Sequence, residues 1–257
     1  MEILDAHIHL VDPARAQGVP WPGKLALPST TERLAKIAGD LGVSSAIHVE
    51  ASPWAADNEW VLRSTQHDAF VVGVVGNLEP AAPDFAAQLD RLQHYPKFRG
   101  IRYGNLWGRD LGAALARPAF QEGLRELARR GLALDAANPT PELLLALLRA
   151  SDAAPELTLV LDHLPSMPQP DPQVLRELAA RKLFAKVSYI PQGEEAAARE
   201  RIALMWEVFG PEQLMYGSDW PNSAGHWRTY ADNFHQLTPP KEAGAFYALN
   251  ARRAYGL

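Results

Sequence analysis

Short runs of apolar and β-branched residues recur along the chain at 2–10 (EILDAHIHL), 44–52 (SSAIHVEAS), 70–78 (FVVGVVGNL), 98–104 (FRGIRYG), 132–137 (LALDAA), 157–164 (LTLVLDHL), 183–190 (LFAKVSYI) and 213–220 (QLMYGSDW). Each reads as a strand. Between them stand stretches such as TERLAKIAGDLG, AFQEGLRELARRG and PQVLRELAARK, whose apolar positions return at helical spacing. Thr30, Asp57 and Thr140 stand where N-caps belong, and several stretches end at Gly or before Pro. Eight strands, each followed by a helix, in 257 residues predict an α/β fold, a (β/α)8 TIM barrel forming a single domain over 1–257. A doubly wound sheet would carry a Gly-rich phosphate loop after its first strand, and the Pro-rich segment 11–29 lacks one. That long first loop reads either as a lid or pocket wall or as a surface excursion.

Within LDAHIHL, a period of two puts Asp5, His7 and His9 on one face of the strand and Ala6, Ile8 and Leu10 on the other. An isolated pair of this kind is by default the wet face of an edge strand. A barrel changes that reading, because its functional groups sit at the C-terminal ends of the strands. His7 and His9 fall at that end of strand 1, His48 and Glu50 of strand 2, Arg102 and Tyr103 of strand 4, Asp135 of strand 5, His163 of strand 6, Tyr189 of strand 7 and Asp219 of strand 8. Closure pairs strand 8 with strand 1, so Asp219 is expected beside His7 and His9, with His163 reaching across the mouth. Asp5 lies deeper and is expected to make a structural hydrogen bond.

Two chemistries suit this set, and both give hydrolysis. One divalent ion, zinc by preference, can take His7, His9, His163 and Asp219 as ligands and acidify a bound water. Alternatively no cofactor is required, Asp219 acts as general base, and the imidazoles and Arg102 donate hydrogen bonds to a developing oxyanion.

Composition narrows the partners. A hydrophobic share of 47% and a charged share of 21% describe a soluble globular protein, and a net charge of −5 without a basic cluster argues against nucleic acid. The absence of cysteine excludes disulfides, thiolate metal sites and a cysteine nucleophile. No secretory signal is visible, and the apolar runs are far shorter than the roughly 20 residues of a membrane span. The expectation is a cytoplasmic enzyme acting on a small-molecule substrate, with no membrane partner and with a homo-oligomer left open.

Taken together, DAHIHLVDP, HVEAS, GIRY, LVLDHL, MYGSDWP and ALNARRAYGL resemble the amidohydrolase superfamily, amidohydrolase 2 type. More narrowly they resemble its lactonase branch, which includes fuconolactonase-like, galactarolactone-processing and 2-pyrone-4,6-dicarboxylate lactonase enzymes. The resemblance runs from the first strand to the last helix. It implies a carbohydrate-metabolism hydrolase in which Asp219 activates water, and His7, His9 and His163 polarise a lactone carbonyl. Arg102 would contact a substrate anion or carbonyl, the alternative being a pair with a neighbouring acid, while Glu50, Tyr189 and Trp220 would line or support the pocket. The alternative is a zinc-dependent decarboxylase or hydratase on the same barrel. RGIRYG and LALDAA lack the lysine that bridges two metals in binuclear relatives, which argues against a binuclear site. Leu164–Met167 and Lys186–Tyr189 depart from the turn and strand 7 of the branch, changes that bear on substrate more than on the reaction centre. Trp21, Trp54, Trp107 and Trp220 read either as an aromatic wall around a ring substrate or as cover for the barrel end, His67, His94, His226 and His235 read as surface or packing residues, and His48 has no assigned role.

Overall fold

The computed structural model describes residues 2–15, 28–166, 170–190, 194–222, 230–237 and 244–257. Trp21, His226, Met167 and most of the long first loop lie outside them.

Eight strands form one parallel sheet in sequence order: β1 (Ile3–Ile8), β2 (Val43–Val49), β3 (Val71–Gly76), β4 (Phe98–Arg102), β5 (Ala133–Ala136), β6 (Leu159–Leu161), β7 (Phe184–Val187) and β8 (Leu214–Tyr216). The sheet closes where His9 N donates to Trp220 O at 2.8 Å and Asp219 N donates to His7 O at 2.9 Å. These two bonds tie the C-terminal ends of β1 and β8 together. The structure is therefore the expected barrel.

Outside it pack α1 (Thr31–Ala38), α2 (Ala56–Ser64), α3 (Phe85–Gln93), α4 (Leu111–Ala114), α5 (Pro118–Arg129), α6 (Pro141–Ala153), α7 (Pro172–Ala180), α8 (Glu195–Phe209) and α9 (Tyr230–Leu237). A π-helical turn, Ala245–Leu249, then leads into α10 (Asn250–Tyr255). Thr30 and Thr140 cap α1 and α6 through Arg33 N and Leu143 N, as expected. Asp57 does not cap: α2 begins one residue earlier, and the Asp57 carboxylate is taken by Ser52 and Arg15.

Two apolar layers separate by strand face. Ile3, Ile8, Leu10, Val74, Ile101 and Leu161 pack outward against the helices. Leu4, Ala6, Ile47, Val49, Val75, Ala133, Val160 and Met215 fill the barrel interior, where Ala251, Ala254 and Tyr255 of α10 join them. The alternation expected for β1 fails at this point. Asp5 pairs with Ala46 but Ile8 pairs with His48, so β1 holds one extra residue between them. That bulge inverts the side-chain parity, because a one-residue slip exchanges the two faces. Leu4 and Ala6 therefore point inward together with His7 and His9, while Asp5 falls on the opposite parity. Its carboxylate accepts from the backbone N–H of His7 at 3.1 Å and of Ser218 at 2.8 Å, holding the irregular stretch in place. Asp5 is thus structural, as expected, but it is not on the histidines' face.

Candidate active site

Inward-facing parity on β4 to β7 brings Arg102, Asp135, Asp162 and Lys186 into a buried ionic layer above the apolar floor. Lys186 Nζ lies 2.6 Å from Asp135 and 2.8 Å from Asp162, and Tyr255 OH donates to Asp135 at 2.8 Å. Burial, reinforced by the charge of Asp162, pushes Asp135 up to about 7 despite Lys186. Burial would also raise Asp162, but Lys186, His7 and Arg102 outweigh it and hold that carboxyl well below its ordinary range. One cation thus serves two carboxylates in the interior, an arrangement that costs several kcal/mol to break.

His7 rests on this layer, its Nδ1 3.3 Å from Asp162 Oδ1 and 3.4 Å from Lys186 Nζ. Its Nε2 faces the mouth, 3.3 Å from His9 Nε2 and 3.6 Å from Asp219 Oδ1. His9 is fixed from behind by a 2.9 Å bond between Nδ1 and the Val49 carbonyl, and its Nε2 lies 3.0 Å from Asp219 Oδ1. The ring of His163 stands 4.5 Å from that of His7, with Nδ1 2.7 Å from Ser188 Oγ. Gly217 is required here, since a Cβ would lie 2.8 Å from that of His7. The structure thus brings together His7, His9, His163 and Asp219 as the sequence predicts.

His163, Tyr189 and Asp219 adopt φ of 74°, 57° and 56° where β6, β7 and β8 give way to their loops. Left-handed backbone in non-glycine residues costs of order 1–3 kcal/mol each and clusters at functional sites. Its recurrence on adjacent strands aims all three side chains at one space.

Electrostatics keep Asp219 ionised. Burial alone would raise its pKa, but His163, the hydrogen bond with His9 and the charge of His7 more than compensate, holding it well below the usual carboxylate range. Burial holds His7 and His48 well below the ordinary imidazole value of 6.5 and lowers His163 as well. A depressed imidazole makes the unfolded chain bind more protons once pH falls below that ordinary value, so stability present above it is lost on acidification. The melting temperature is expected to drop from pH 7 to pH 5, the three imidazoles outweighing the single raised carboxyl of Asp135, which acts in the opposite direction. A flat profile across that range would contradict neutral burial of these rings.

Other predicted positions resolve differently. Arg102 is buried and occupied: Nε lies 3.1 Å from Glu50 Oε1, a terminal nitrogen reaches the Glu50 carbonyl at 2.8 Å, and another lies 3.5 Å from Asp162. Arg109 takes the second Glu50 oxygen at 2.9 Å. Arg102 and Glu50 thus engage each other rather than the open mouth. Trp220 is buried in the outer layer, its carbonyl closing the barrel. Tyr189, in contrast, is 41% exposed with its ring 5.7 Å from His163. His48 faces outward beneath α2, where Nδ1 accepts from Leu10 N at 3.1 Å, and it lines a cavity of about 20 Å³, space for one water. Its role is to hold the chain that leaves β1. Asp162 and Ser188 were not singled out by the sequence; their signal was adjacency to His163 and to Lys186 within the same strand ends.

A cavity of about 430 Å³ opens beside this cluster, lined by Asn138, Thr140, His163, Tyr189, Glu194 and Arg201 among others. Its size is that of a small-ligand pocket. Coordinating atoms of His7, His163 and Asp219 lie within 4.8 Å of one another. His9 Nδ1 donates to Val49, and its Nε2 lies 3.0 Å from Asp219 Oδ1, a contact that requires either a proton on Nε2 or a cation between the two atoms. The donor set therefore fits a metal ion.

A family model described as Amidohydrolase matches residues 4–257. The L-fucono-1,5-lactonase of Burkholderia ambifaria is 29% identical, over 88% of this chain and 83% of that protein. Among solved structures, an amidohydrolase from Burkholderia multivorans with bound zinc superposes with a TM-score of 0.86 at 23% identity, covering 100% of both chains. A putative 2-pyrone-4,6-dicarboxylic acid hydrolase from Pseudomonas putida gives a TM-score of 0.80 at 21% identity, covering 99% of this chain and 97% of that one. No helix among the described residues is long and apolar enough to cross a membrane.

Proposed function

This chain belongs to the amidohydrolase family, and on that premise we propose that it opens the lactone ring of a sugar acid by hydrolysis. The observation that carries the reading is the convergence of Asp219 Oδ1 with the Nε2 atoms of His9 and His7 beside His163, whose ring packs on His7 and lines a ligand-sized cavity. The likeness to a fuconolactonase supports it.

Asp219 stays ionised at neutral pH and takes a proton from the attacking water. His9, anchored on Val49, fixes the orientation of that carboxylate. With Lys186 donating to His7 Nδ1 and Ser188 donating to His163 Nδ1, both rings turn an Nε2–H towards the lactone carbonyl oxygen. Hydrogen bonds to that oxygen strengthen as it gains negative charge, which lowers the barrier to the tetrahedral intermediate. Its collapse breaks the ring C–O bond, and the proton held by Asp219 passes to the departing alkoxide, giving a hydroxy acid. The other tautomer of His7, with Nδ1–H directed at Asp162, frees Nε2 as a ligand. A divalent ion such as zinc, held by His7, His9, His163 and Asp219, would supply Lewis-acid polarisation and a more acidic water.

Titration of acid release across a panel of aldonolactones tests the reading. Saturable release of one acid equivalent per turnover is expected. Carbon dioxide release from an aromatic or enoic acid, with no lactone opened, would assign the decarboxylase chemistry instead.

A further inference from the structure

Arg201, on α8, has a side chain only 4% exposed and, among the described residues, one ion pair, with Glu194 at 3.0 Å. Its Nε is buried without a hydrogen-bond partner among the described residues. A buried donor left unmade costs about 1–3 kcal/mol or more if charged, so such an atom marks a place where a ligand supplies the acceptor. Arg201 and Glu194 line the 430 Å³ cavity that His163 and Tyr189 border on its reacting side. A molecule spanning that cavity would touch the reaction centre at one end and this pair at the other.

Charge narrows what the molecule is. Arg201 is balanced by Glu194, Arg109 by Glu50, and Arg102 by Glu50 and Asp162. None of these described arginines is left to neutralise a carboxylate on the ring, while Glu194 and Asp219 would repel one. A hydroxyl, by contrast, both accepts and donates, and it matches an N–H and a carboxylate oxygen presented side by side. Tyr189 adds a partly exposed aromatic ring of the kind that packs against the apolar C–H face of a sugar.

We propose that Arg201 and Glu194 form the hydroxyl-recognition subsite of this enzyme, and that its substrate is an uncharged, polyhydroxylated lactone rather than a carboxylated ring. The inference rests on the lactonase reading above.

Steady-state kinetics on a neutral six-membered aldono-1,5-lactone, on the same lactone lacking a ring hydroxyl, and on 2-pyrone-4,6-dicarboxylate test it. The native enzyme is expected to prefer the neutral lactone. Arg201→Met should raise its KM by roughly 10- to 100-fold, the size of a lost charged hydrogen bond, with a much smaller change in kcat. Against the deoxy lactone that contacts the subsite least, the same substitution should matter little. Glu194→Gln changes a half-exposed side chain, keeps the protein folded, and should raise KM in the same direction, so it decides the matter if Arg201→Met fails to fold. Folded variants that keep the native KM, or a native preference for the dicarboxylate, overturn the subsite. A folded native enzyme that opens no lactone overturns the lactonase reading itself, which is a separate result.

Discussion

Asp219→Asn is expected to lower kcat for lactone opening by roughly 10²- to 10⁴-fold while leaving product binding and the melting temperature close to native. Asparagine keeps the shape of the side chain and can still meet His9 Nε2, 3.0 Å from Asp219 Oδ1. It cannot accept the proton of the attacking water. The size of the effect follows from the isolation of the carboxylate: it is the acid that the His7, His9 and His163 rings hold in its ionised form. The buried carboxylate of Asp162 lies behind His7 and is already committed to Lys186 and Arg102, so it is not poised to replace Asp219. Calorimetry with the hydroxy acid separates binding from turnover, since a transition-state role moves kcat and a ground-state role moves affinity. A variant within tenfold of native kcat would sink the assignment of Asp219 as the base.

Lys186→Met is expected to destabilise the fold by about 3–5 kcal/mol, because it leaves Asp135 and Asp162 buried without their shared cation. For a chain of this size that corresponds to a fall in melting temperature on the order of 10 °C. The loss should shrink on acidification. A carboxyl raised in the folded state binds its proton there while the unfolded chain has already released it, so stability falls as pH rises through the interval between the ordinary and raised values. For native Asp135 that interval runs from 3.8 to about 7, and removing Lys186 extends it upward. The difference between variant and native stability should therefore be largest at pH 8 and smaller at pH 5. Adding Asp135→Asn to the variant should recover part of the deficit by removing one uncompensated charge. Denaturant midpoints read all three effects, and a single variant within 1 kcal/mol of native would show that the layer is not held by this lysine.

Much of the candidate site was legible along the chain. The strand order, the two-residue spacing of His7 and His9, and the positions of His163 and Asp219 at later strand ends already place one polar cluster at one rim. Arg102 and Glu50 were legible as rim residues but not as partners of each other, because the distance between β2 and β4 across a barrel is not encoded in either strand. Trp220 reads as a pocket aromatic next to a functional aspartate, yet its ring is buried in the outer layer. His48 illustrates a different limit. In a barrel strand both faces are buried, so the polar/apolar alternation that would reveal direction is erased; only the packing of Ile47 and Val49 inside shows that His48 points out.

The sequence by itself determined the succession of eight strand and helix units, and with it the end of the barrel where chemistry is gathered, because periodicity, caps and turn residues act over a few neighbours. Only the tertiary structure decided which way each functional side chain points and what it meets. The extra residue in β1 inverts the faces of that strand by a slip visible only in its pairing with β2. The Lys186 layer beneath His7 assembles from β5, β6 and β7. Asp219 reaches His9 through ring closure between the first and last strands. Each of these depends on contacts between segments far apart in the chain, whose geometry exists only once the barrel has closed.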